Sequence, residues 1–153
     1  MNEAQMHMLF NHLPVFGVLF CTLLLLYGLI RKSDELKKTA LGALVVVALL
    51  TIPAYLTGEP AEHIVEHQAG VSEAAIHDHE EMAELTIWPM FVLGALSLSG
   101  LTILRKRQAF LMPLIFAGCL VISGMMAYTA HLGGLVNHPE LRGEAQTGEH
   151  RED

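Results

Sequence analysis

Four long apolar runs constrain this chain more than any other feature. They lie at roughly 13–30, 41–58, 85–104 and 110–130. Each holds about the 20 residues that a helix rising 1.5 Å per residue needs to cross ~30 Å of hydrocarbon. With 52% hydrophobic residues in 153, the chain reads as one integral-membrane domain. The expected fold is all-α: an up-down four-helix bundle in which successive helices are neighbours.

The charges between the runs sort by side. Seven of the nine Lys and Arg residues sit in two short loops, Arg31, Lys32, Lys37 and Lys38, then Arg105, Lys106 and Arg107. Fourteen of the sixteen acids, and all nine histidines, lie in the other segments. The positive-inside rule makes the basic loops cytoplasmic. Both termini and the 59–84 connection then face outward. In a bacterium this is a multi-pass inner-membrane protein with its histidines on the periplasmic side. No Lys or Arg precedes the first run, so an N-out helix is expected there and not a cleaved signal peptide. No basic patch with interleaved aromatics speaks for nucleic acid.

Helix ends can be expected from turn chemistry. Residues 1–12 read as an outer arm, with Pro14 in the first turn of helix 1. Ser33 starts helix 2, Pro53 should kink it, and helices 2 and 3 should extend past the membrane surface and join near 68–72. Trp88 suits an interfacial belt. Helix 4 should run to Leu132 and meet Gly133 and Gly134. Residues 1–138 then form the transmembrane domain, and 139–153 a charged, disordered outer tail. A weak repeat, with Pro14 matching Pro89 and Tyr55 matching Tyr128, hints at two related hairpins. Cys21 and Cys119 fall at similar depth and read as small buried hydrophobes.

Counting up from the cytoplasmic ends puts the histidines in layers. His12 is about 27 Å up and His131 about 31 Å. His7 and His63 are at about 34 Å and His79 at about 37 Å. His67, His77 and His138 are outermost, at about 40 Å. Ionisable residues near the membrane are costly, so the deepest histidines are the first candidates for a function. A haem needs imidazoles from facing helices at matched depth and small residues where the porphyrin lies. His12 with His131 is the expected axial pair, and His63 with His79 the second. If diagonal helices ligate, the pairs are His12–His79 and His63–His131. Gly17, Gly58 and Gly124 are the candidate gaps, and Gly133 and Gly134 the candidate propionate site.

A non-haem ion would need three or four converging donors. His63, Glu66 and His67 have H-x-x-E-H spacing, and His7, His12, His77, His79 and His131 complete the candidate ligands for Fe, Cu or Zn. Met6, His7 and Met8 would suit copper. Histidines that merely face solvent or a neighbouring subunit remain a third reading.

His7-Met8-Leu9-Phe10-Asn11-His12-Leu13-Pro14 resembles the H-P-x-x-V-H-F-P opening of a widespread family of uncharacterised bacterial four-helix membrane proteins. Thr129-Ala130-His131-Leu132-Gly133-Gly134 resembles the H-x-G-G stretch ending their fourth helix. The resemblance implies the four-helix fold and haem binding, and singles out His7, His12 and His131. The expected function is a b-type cytochrome with one or two haems, passing electrons between quinol and a periplasmic redox protein or larger membrane complex, alone or as a homo-oligomer. Such a protein is an electron carrier more than a stand-alone enzyme.

Overall fold

Asn2 starts the first helix earlier than the apolar run suggests. Its side chain accepts from the Gln5 backbone N–H at 2.9 Å, and the Gln5 side chain returns the favour to the Asn2 N–H at 3.2 Å. This capping box satisfies donors that would otherwise hold the turn open. In a computed structural model describing residues 2–142, α1 therefore runs Glu3–Ile30. The expected arm is helical, and Pro14 lies inside α1 instead of in its first turn. The added turns carry His7 over the bundle on a rigid element.

Lys32, with φ of 51°, turns the chain after α1. Ser33 then caps α2 (Asp34–Leu56), accepting from Leu36 N–H at 3.3 Å. Beyond Pro53 the helix stops at Leu56, and a separate short helix, α3 (Gly58–Val65), follows. The outer extension expected of helix 2 is thus present but broken at Thr57. Gly70, at φ 85°, makes the loop bend. Ser72 caps α4 (Glu73–Leu101), and a 3-10 turn at Arg105–Arg107 leads into α5 (Gln108–Asn137). Gly133 and Gly134 do not end that helix, which continues to Asn137. A second 3-10 turn spans Pro139–Arg142, and Arg142 donates to the Gly70 carbonyl across the outer face. The remainder of the tail lies outside the described residues, and His150 with it.

The four long helices pack in ring order, α1 on α2, α2 on α4, α4 on α5 and α5 back on α1. All four are long and apolar enough to cross a membrane. α1 is diagonal to α4. Two buried stripes face each other across the axis with the same spacing. One is His7, Pro14, Val18, Cys21 and Leu25; the other is His79, Thr86, Met90, Leu93 and Ser97, with only the two histidines half-exposed. Intervals of seven, four, three and four residues keep each stripe on one helix face. Leu41, Leu44 and Ile115 fill the space between, and Cys21 and Cys119 are free, buried thiols. Thr22 and Ser123 share a hydrogen bond at 3.1 Å between α1 and α5.

Small residues set the helix spacing. A Cβ on Gly94 would lie 2.5 Å from the Ala48 Cβ, so α2 and α4 nearly touch there. One on Gly17 would lie 2.7 Å from a Val47 methyl. Gly17 therefore serves helix packing, and no porphyrin slot opens at it. Phe16, Phe20, Leu49, Val92 and Val121 project outward, as lipid-facing side chains do.

Candidate functional site

Two imidazoles meet at the outer end of the bundle axis. His7 on α1 and His79 on α4 have ring centroids 6.4 Å apart and planes at 83°. They are the half-buried histidines of the described set, whereas His12, His63, His67, His77, His131 and His138 are exposed.

Each ring is held by the partner helix of its own hairpin. His7 Nδ1 lies 3.1 Å from the Ala54 carbonyl of α2 and 3.2 Å from Thr57 Oγ1. His79 Nδ1 lies 2.9 Å from the Thr129 carbonyl of α5. A carbonyl only accepts, so Nδ1 must carry the proton in both rings. In the neutral ring each Nε2 is then a bare lone pair, and no described residue bonds to it. A backbone carbonyl behind Nδ1 also raises the basicity of Nε2 and fixes the ring, as it does behind metal-bound histidines.

The glycines explain how the rings reach these carbonyls. Gly58 lies one turn after Ala54, and Gly133 one turn after Thr129, so each glycine stands over the carbonyl its histidine uses. A Cβ on Gly133 would come within 3.1 Å of His79 Cε1, and one on Gly58 within 3.8 Å of His7 Cε1. Gly133 is thus a notch for the His79 ring. Gly58 to Gly133, Ala54 to Thr129 and Pro14 to Pro89 are all the same seventy-five residues apart. Buried Ala61 of α3, Ile76 of α4 and Val136 of α5 give this end apolar walls. Below the pair, Thr86 Oγ1 and Thr129 Oγ1 stand 3.4 Å apart.

The other candidates are dispersed. His12 sits five residues beyond His7, about 140° round the helix. It bonds back to its own helix at the Met8 carbonyl and stacks on Phe16 at 6.0 Å. His131 lies beside Tyr128, 6.4 Å away on its own helix. Among the described residues, no partner from another helix reaches either ring. His63 and His67 flank Glu66 at 3.4 and 3.6 Å on the exposed rim. His138 bonds Glu140 at 2.7 Å. The Glu140 carboxyl is held below the usual range by its own backbone N–H and by that imidazole. Among the described residues, no group of three or more His, Cys, Asp or Glu converges as a metal site. A Cβ on Gly124 or Gly134 would meet only open space within 4 Å.

Compared with known protein families, with curated proteins and with solved structures, the chain gives no match.

Proposed function

We propose that this protein is a small b-type cytochrome of a bacterial inner membrane, in which His7 and His79 would hold one haem. The 6.4 Å separation of the two rings carries the reading. Two imidazoles at that spacing could both reach one iron held between them, and no third or fourth donor converges there among the described residues, as a tetrahedral ion would ask. The donor set also fits: two neutral imidazoles, each with its lone pair on Nε2, on diagonal helices, and apolar residues around them.

Bound there, a haem supplies reversible one-electron storage. The chain's own residues do the rest. Ala54 and Thr129 hold the ring orientation and tautomer, and Gly58 and Gly133 leave the rings room. The sorted charges of the loops support an N-out, C-out orientation, with the site on the periplasmic side. Quinol in the bilayer is then the natural donor and a periplasmic redox protein the natural acceptor.

Pyridine haemochrome assay and optical spectra of the purified protein test this. His7→Ala and His79→Ala should each abolish the sharp low-spin reduced bands, while His12→Ala, His131→Ala and His67→Ala should keep them. Loss in His12→Ala or His131→Ala with retention in His79→Ala would refute the pair. A colourless protein carrying copper would replace haem by a two-coordinate Cu(I) ion on the same two rings.

A further inference from the structure

The seam between α2 and α4 carries a cavity of about 380 Å³ at its outer end, lined by Ile52, Tyr55, Glu84, Ile87, Trp88 and Phe91. A second space, of about 160 Å³, continues down the same seam from Phe91 past Gly94 and Ala95 to Leu98. The upper one falls in the size range of small-molecule sites, about 300–1,000 Å³. From Glu84 to Leu98 is fourteen residues, so the groove is about 21 Å long. It faces the lipid side: Trp88 is 71% exposed and Val92 beside it is exposed too. Its length comes from the small residues Ala48, Gly94 and Ala95.

The polar features are confined to the head of the groove. Tyr55 offers a phenol and Glu84 a carboxylate. No described residue bonds or pairs with Glu84, so that carboxylate is free to accept. Glu84 lies five residues below His79 on α4, about 7.5 Å along the axis. A ligand for this seam has a compact head that donates a hydrogen bond, no negative charge, and a long apolar tail. A phospholipid brings a phosphate against Glu84 and is repelled. A hydroquinone brings a neutral ring and a hydroxyl.

We infer that the α2/α4 seam seats an isoprenoid quinol, its ring between Tyr55, Glu84 and Trp88 and its tail along Gly94 and Ala95. The inference deepens the cytochrome reading by giving the electron donor a seat, and rests on that reading for its redox role. Glu84 accepts a hydrogen bond from one ring hydroxyl. Phe91 stands where head and tail spaces meet.

Trp88 is the chain's single tryptophan, so its emission reports the head of the groove directly. The test is an anaerobic titration of the protein, in zwitterionic lipid nanodiscs, with a decyl-substituted benzohydroquinone. A saturable change in Trp88 emission is expected. Glu84→Ala should weaken it about tenfold or more, the ordinary worth of a hydrogen bond to a charged group. Ala95→Phe should weaken the decyl probe more than its tail-less parent. A linear response, or the same midpoint in Glu84→Ala, overturns the inference by showing mere partitioning into lipid. Displacement of the probe by phosphatidylglycerol overturns it in favour of a lipid site. His79→Ala separates the two readings: the titration should survive while haem is lost. Haem-replete protein with no saturable response sinks the seat and leaves the cytochrome. A saturable, Glu84-dependent response in protein that never binds haem does the reverse.

Discussion

Replacing Gly133 by alanine should strengthen a helix and weaken a site with one methyl group. The added Cβ would lie 3.1 Å from His79 Cε1 and 3.2 Å from its Nδ1. Ordinary contact begins a few tenths of an ångström further out, so the ring must move. Its Nδ1 contact with the Thr129 carbonyl, now 2.9 Å, stretches to the edge of hydrogen bonding. A neutral hydrogen bond is worth about 0.5–1.5 kcal/mol net. Loss of such support behind a ligating histidine typically costs about 10–100-fold in affinity. Alanine in a helix interior is meanwhile about 1 kcal/mol better than glycine. The two terms nearly cancel in apo protein, whose denaturant midpoint should barely move, while haem affinity, measured by Soret titration, falls by at least tenfold. Gly134→Ala is the control, because a Cβ there has nothing within 4 Å. It should gain the helix term and leave affinity alone. Equal haem affinity in Gly133→Ala, Gly134→Ala and wild type would refute the notch and the carbonyl support with it.

Two further outcomes are expected. Cysteines introduced at Lys106 and Ala69 should be labelled by impermeant maleimide from opposite sides, Ala69 from the periplasm; labelling of Ala69 from the cytoplasm would invert the orientation. Gly94→Ala should destabilise the bundle by about 1–3 kcal/mol, the usual range for overpacking, because its Cβ would meet that of Ala48 at 2.5 Å. Ala48→Gly should rescue it, and strictly additive losses in SDS unfolding would mean the two helices do not touch there.

Helix number and loop placement were legible because length, charge and turn residues depend only on position along the chain. Ser33 and Ser72 cap their helices and the 68–72 joint lies outside any helix, as the turn chemistry suggests. The arm was misread because an apolar run marks where lipid begins, whereas a helix begins where its donors are capped, here at Asn2. Helix faces were not legible from hydrophobicity, since these four helices are apolar nearly all round. That is why depth counting placed His7 and His79 within about 3 Å of each other in height and still favoured His12 and His131. A usable signal existed in the small polar residues. Thr86 and Ser97 mark the inner stripe of α4, and one heptad outward from Thr86 is His79. On α1, Cys21 and Pro14 lead to His7 by the same step.

Because each imidazole is braced within its own hairpin, neither half of the molecule needs the other to prepare its ligand. α1 with α2 and α3 holds His7, its carbonyl and Gly58; α4 with α5 holds His79, its carbonyl and Gly133. The ordering entropy of each side chain is met by contacts within its own half. On the cytochrome reading, a haem entering between them would meet two ready surfaces, and its capture would reward the docked arrangement alone. It would act as an inspector of assembly: hairpins docked rotated or out of register would present one imidazole at a time and hold it weakly or not at all.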